Sequence, residues 1–300
     1  MWILLAFLSA LLLGFYDVSK KVSLRNNAVL PVLMINTVTC ALFFAPVLIG
    51  SRLGFIDLIP LCDIDVHLLV LAKAIIVLTS WIFGYYAIKH LPLTIVGPIN
   101  ATRPIITLLG ALIIYGESLN PWQWCGVLLA IISILLLSTS GRKEGIRFEH
   151  NLWIVLLFLA AILGTASGLY DKYLLAPINQ GGAGLNSYFV QAWYNTYQAV
   201  LMTLVMLFIW YPNRHKGSIF KWRWSILLIS VFLTLADMAY FYALSRPDVL
   251  ISVVSMVRRS SVLISFLFGA FLFHEKNLKS KIFDLVLIFL GMVCLYIGTA

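Results

Sequence analysis

Arg103, Arg259 and Asp237 each stand well inside a long run of apolar residues. A charge held in a medium that cannot solvate it is expensive, so such groups point to binding, ion pairing or coupling. Paired guanidiniums suit a carboxylate or phosphate, which they grip through parallel hydrogen bonds. Asp237, in LTLADMAYFYAL, can hold a cation or a proton, or neutralise Arg259 or Arg103; Arg258 adjoins the former. Asp17 and Asp171 lie nearer the ends of their runs, each beside a Tyr, with Lys20, Lys21 and Lys172 close enough for local pairing. They are candidates for gating or coupling-ion contact, or for anchoring at a membrane interface. Gln191, Asn195 and Gln198 recur at i+4 and i+3 spacing and so share one helical face, fit to line a cavity or to bond a neighbouring helix. Asn100 and Trp81 can line the same cavity, and a Trp ring can stack on an apolar or cationic solute. Lys73, about a turn inside its run, is expected to snorkel to water. Pro98 and Pro104 remove backbone donors and bend the helix that holds them.

The elements that must position these groups follow from composition. Hydrophobic types make up 62% of the 300 residues and charged types 11%. No globular core absorbs that excess, because a soluble domain must show polar surface to water. A bilayer removes the constraint, since helices satisfy their own backbone groups in lipid. A span needs about 20 mostly apolar residues. Ten runs qualify, over 2–22, 29–50, 66–89, 92–115, 121–139, 152–175, 187–211, 222–245, 248–273 and 281–299. The first has no basic segment in front and no small-residue cleavage site behind, so it reads as a retained helix. The expected fold is an all-α integral membrane protein.

The chain also repeats itself. Gly14-Phe15-Tyr16-Asp17 is matched by Gly168-Leu169-Tyr170-Asp171, and Tyr86-Ala87 by Tyr242-Ala243. Arg103 follows Tyr86 by 17 residues, as Arg259 follows Tyr242. Glu117 and Glu275 close the fourth and ninth runs, with a slip of two residues between Arg and Glu. The expected organisation is a first repeat over 1–140, a linker over 141–151 and a second repeat over 152–300. Five spans per repeat insert the second copy from the opposite side, as in carriers whose site sits between inverted repeats near the midplane.

The stretch ATRPIITLLGALIIYGESLNPWQWCGVLLAIISILLLS, with Pro104, Glu117 and Gly126, resembles the EamA-type members of the drug/metabolite transporter superfamily. The second copy matches through Tyr242-Ala243-Leu244, Glu275 and Gly291, but lacks the Pro and has Asp284 where the pattern has Gly. The resemblance implies a solute carrier that hydrolyses no ATP and moves a metabolite, amino acid or drug across the inner (plasma) membrane, with cytoplasmic termini. The charges of the chain imply the reverse orientation. Loops after the odd-numbered spans hold about fourteen Lys/Arg and the others two or three, which places both termini outside.

The net charge of +9 is explained by these loop clusters, so no nucleic acid partner is expected. Cys40, Cys62, Cys125 and Cys294 show no ligand spacing, and neither metal nor cofactor is expected. The expected partners are a small-molecule solute and the bilayer, with proton coupling open and a monomer or homodimer equally compatible. No P-loop, GxGxxG, HExxH or GxSxG occurs, which argues against an ATP-driven pump or a soluble-type enzyme. The competing readings are a lipid flippase and an intramembrane lipid-modifying enzyme.

Overall fold

The computed structural model describes residues 2–106, 120–142, 148–214, 219–244, 257–273 and 278–299; among them the chain is helical and no strand occurs. The helices are α1 Trp2–Leu24, α2 Val29–Arg52, α3 Ile64–His90, α4 Leu93–Ala101, α5 Pro121–Arg142, α6 Leu152–Leu175, α7 Ser187–Val205, α8 Ser225–Leu244, α9 Ser261–Phe271 and α10 Leu278–Thr299. α7 continues through a π-helical turn, Met206–Trp210, to Tyr211–Asn213. Among the described residues, six segments are long and apolar enough to cross a membrane: Val29–Arg52, Ile64–His90, Leu152–Leu175, Ser187–Asn213, Ser225–Ala243 and Lys281–Gly298. Glu117, Glu275 and the stretch Ser245-Arg246-Pro247-Asp248, where the eighth and ninth apolar runs meet, lie outside the described residues.

The sorting of side chains is that of a protein in lipid. Leu135, Phe208 and Phe271 face outward at 62%, 75% and 76% exposure, while Lys73 and Lys281 are buried at 2% and 0%. Water would impose the opposite order. Helix starts follow ordinary capping rules. Asn151 accepts from the Trp153 N–H at 3.0 Å, and Asn186 from the N–H groups of Tyr188 and Phe189 at 2.8 and 3.2 Å. Pro92 sits at the N-cap of α4, just ahead of the helix, where its missing N–H removes no helical bond.

Packing between the halves follows a twofold pattern. α1 packs on α8 and α3 on α6, while α2 meets α7, α4 meets α9 and α5 meets α10. Exchanging α1–α5 for α6–α10 maps this set onto itself. Serine hydroxyls stitch the first two contacts: Ser9 Oγ donates to the Ala236 carbonyl at 2.7 Å, and Ser80 Oγ to that of Ala160 at 2.8 Å. Glycines let helices of different halves approach closely. A Cβ on Gly14 would stand 2.5 Å from Ile264 Cβ, and one on Gly97 2.8 Å from Val262 Cγ1. Gly14→Ala therefore forces α1 and α9 apart. The expected loss is about 1–3 kcal/mol, read as a lowered melting temperature of the detergent-purified protein; an unchanged value would contradict this packing.

Basic chain segments gather at one end. Lys21 Nζ donates to the carbonyls of Ile88 and Leu91 at 2.8 and 2.5 Å. Asn27 Nδ2 donates to the Lys221 carbonyl at 2.7 Å, and Asn27 Oδ1 accepts from the Lys221 N–H at 2.8 Å. The His90 ring stacks on Trp153 at 3.7 Å. Segments following α1, α3, α5 and α7 thus meet. Two lysines near the ends of their spans are not in water: Lys20 is 6% exposed, and Lys281 is fully buried with its Nζ donating to Thr94 Oγ1 at 2.8 Å. Asp284 is buried on the same face of α10 one turn later, where the family pattern has Gly.

Candidate functional site: a charged cavity shared by both halves

A cavity of about 350 Å³ is lined by α1, α3, α4, α6, α7, α8 and the residues around the start of α9. Asp17, Trp81, Asn100, Arg103, Asp171, Asp237 and Arg259 all line it. Gln191 and Asn195 do not. Both are buried in α7, where Gln191 Nε2 donates to the Thr234 carbonyl of α8 at 3.5 Å, so Gln191 serves a helix–helix contact rather than the cavity.

Lys20, Lys73 and Arg258 also line the cavity, a placement that sequence alone does not assign to any of them. Each holds one of the aspartates. Lys20 Nζ stands 2.9 Å from Asp17 Oδ1, Lys73 pairs with Asp171, and Arg258 pairs with Asp237. Asp237 therefore contacts Arg258 in the described ion pairs, rather than Arg259 or Arg103. Asp171 takes Lys73 from α3 of the other half, not the adjacent Lys172. Snorkelling does not describe Lys73, whose Nζ points inward over the rings of Tyr194 and Phe241, 4.7 and 5.1 Å from their centroids. Lys20 lies 4.1 Å from the Tyr16 centroid and Arg258 3.9 Å from that of Tyr240. Each paired cation thus gains an aromatic face as well as a carboxylate.

Two turns set the remaining arginines. The helical path breaks at Thr102, just before Arg103, and at Ser260, just after Arg259. At each break the hydroxyl donates to the carbonyl three residues back at 2.7 Å: Thr102 to Ile99 and Ser260 to Val257. Backbone bonds tighten in parallel, Ile105 to Thr102 and Leu263 to Ser260, both at 2.9 Å. Such back-bonding bends a helix, and Pro104 reinforces the first break by withholding an N–H. Thr102 and Ser260 stand as far apart in the chain as Glu117 and Glu275, two residues more than Arg103 and Arg259. The slip between copies is thus already present at these turns. Arg103 Nη2 donates to Asn100 Oδ1 at 3.1 Å, and Thr165 Oγ1 donates to the Arg103 carbonyl at 3.4 Å. Arg259 Nε is buried without a hydrogen-bond partner among the described residues, and Arg103 and Arg258 are the cations within electrostatic reach of it.

Gly164 is why the Arg103 head fits. A Cβ there would stand 2.6 Å from Arg103 Nη1, the mobile end of a flexible side chain. Gly164→Ala is expected to leave folding nearly unchanged while displacing the guanidinium. Solute affinity should fall about tenfold or more, because one charge-assisted contact is worth about 1.5–3 kcal/mol. Titration of solute against flux checks this; wild-type affinity would remove Arg103 from the site.

Two like halves packed around a charged cavity, with apolar helices long enough for a bilayer, define a multi-pass membrane protein of the transporter class. The model of the EamA-like transporter family matches residues 1–139 and again 151–297, and the chain belongs to that family. Its transport is therefore of the drug/metabolite type. No curated protein matches the chain. Among 27 solved chains that do, one described only as a crystal structure of a protein is 14% identical, covers 99% of this chain and 97% of its own, and superposes with a TM-score of 0.64. That similarity concerns the fold alone.

Proposed function

We propose that the protein is a secondary transporter of a small organic solute across the inner (plasma) membrane, its site being the cavity between the halves near the bilayer midplane. In this reading ten spans form two inverted five-helix repeats, 1–140 and 152–300, joined by 141–151. The observation that carries it is the composition of the cavity wall. Both halves supply charged groups to one space of about 350 Å³, the size of a small-ligand pocket. A merely structural charge network would be packed solid, and a filled core between these helices would be cheaper than solvated ions in lipid. Helices broken beside Arg103 and Arg259 fit the discontinuous helices found at carrier sites.

The test is reconstitution. Proteoliposomes containing the purified protein should take up a solute down its gradient, without ATP, and saturably. The absence of flux across a panel of amino acids, organic anions and amines, together with translocation or chemical change of a labelled lipid, would replace this reading with a flippase or a lipid-modifying enzyme.

A further inference from the structure

Cys125 in α5 and Cys294 in α10 meet across the seam between the two halves. They lie 169 positions apart in the chain, yet their sulfurs stand 3.9 Å apart, with the Cys294 thiol directed at Cys125. Both are free thiols. The other two cysteines have different neighbours. Cys40 is buried between α2 and α8, where its Sγ accepts from the Thr234 hydroxyl at 3.5 Å, and Cys62 Sγ donates to the Pro60 carbonyl at 4.0 Å. The approach of Cys125 and Cys294 is set by the packing around them. Asn120 and Gln123 form a capping box at the start of α5: Gln123 Oε1 accepts from the Asn120 N–H at 3.0 Å, and Asn120 Oδ1 from the Gln123 N–H at 2.9 Å. Asn120 Nδ2 also donates to the Gly298 carbonyl of α10 at 2.6 Å. A Cβ on Gly298 would stand 2.8 Å from Asn120 Oδ1, so the bare glycine brings the end of α10 against the start of α5. The Asn120–Gly298 and Cys125–Cys294 contacts are thus successive rungs of one antiparallel seam.

We propose that Cys125 and Cys294 are a dithiol modification site, which closes to a disulfide and braces the two halves at this end of the bundle. Cys125 is exposed, and Trp122 and Trp124 beside it are 53% and 48% exposed, the pattern of an aromatic belt where lipid meets water. A water-borne reagent reaches that level. The sulfurs of a disulfide stand about 2 Å apart, and rotation about a Cα–Cβ bond covers the remaining gap. The co-reactant is a low-molecular-weight disulfide. The Cys125 thiolate attacks one of its sulfurs, its S–S bond breaks, and one thiolate leaves as a mixed disulfide forms. The Cys294 thiolate then attacks the Cys125 sulfur, which completes the protein disulfide and expels the second small thiolate. The pair gives up two electrons and two protons, and the co-reactant takes them up as two thiols. No described residue of α5 or α10 lines the charged cavity, so the bridge joins the halves without entering it. The loop it closes is long, which is where a disulfide restricts the unfolded chain most.

The experiment treats the reduced, detergent-purified full chain with oxidised glutathione and reads intact mass, free thiols in denaturant, joined peptides and melting temperature. In the wild type the thiol titre, four per chain when reduced, should halve. No glutathione should stay attached, and the peptides that carry Cys125 and Cys294 should be joined. The melting temperature should rise, and fall back on reduction. Cys294→Ser should retain one glutathione on Cys125, because the resolving thiol is gone, and Cys125→Ser should form no bridge; neither should show the rise. Cys40→Ser combined with Cys62→Ser should bridge as the wild type does. Glutathione retained on Cys125 of the wild type, a covalent dimer in place of the internal bridge, or a bridge to Cys40 or Cys62 would each overturn the proposal. So would a bridged protein that melts no higher than the reduced one, since the seam would then not be braced.

Discussion

Lys73→Met is expected to destabilise the protein by about 3–5 kcal/mol, the typical loss when one partner of a buried ion pair is removed. The side chains of Lys73 and Asp171 are 2% and 8% exposed, so each depends on the other for most of its charge compensation. Lys73 Nζ also sits over two aromatic rings, which its removal leaves against a bare carboxylate. The same physics gives the control. An apolar pair of similar volume is often as stable as a buried ion pair, so Lys73→Met combined with Asp171→Leu should recover most of the loss. Thermal unfolding of the purified variants reads both. A single variant as stable as the wild type would show that Asp171 is not held by Lys73.

Arg259→Ala should behave in the opposite way. Flux at low solute concentration is expected to fall by about tenfold to a hundredfold, the worth of one charge-assisted contact to the solute. Stability without solute should fall little, because Arg259 Nε has no hydrogen-bond partner among the described residues to lose. Arg103→Ala should lose flux similarly, and the Asn100 side chain would then lack the guanidinium donor that it accepts from at 3.1 Å. A variant that transports normally, or that loses flux only because it unfolds, would show these arginines to be structural.

How much of this was legible follows from what each signal depends on. Apolar run length announces a helix in lipid without reference to any neighbour, so α2, α3 and α6 could be placed from sequence. The doubled Gly-x-Tyr-Asp and Tyr-Ala patterns gave the two halves, and helix contacts follow the same exchange. Pairing was not legible, because it depends on neighbours distant in sequence. Asp171 looked served by Lys172 beside it but is held by Lys73 from the other half. Gln191 and Asn195 share a helical face, yet periodicity cannot say whether that face meets a cavity or α8. Proline was also an incomplete guide to the bends. Pro104 marks the break at Thr102, whereas Ser260 makes the same turn with no proline near it in the described chain. Nor do equivalent motif positions keep equivalent roles: Gly14 is packed against Ile264, while Gly168 borders the cavity with open space where a Cβ would stand.

That open position allows the most direct measurement. With Cys40, Cys62, Cys125 and Cys294 replaced by serine or alanine, Gly168→Cys places one thiol on the cavity wall without displacing a neighbour. The protein in sealed vesicles is then treated with a membrane-impermeant maleimide applied from the outside or from the lumen. A carrier that opens alternately to its two sides gives labelling from both, slowed by the transported solute. Labelling from one side only, whatever the solute, or no labelling from either, would contradict a central cavity served by two oppositely inserted halves.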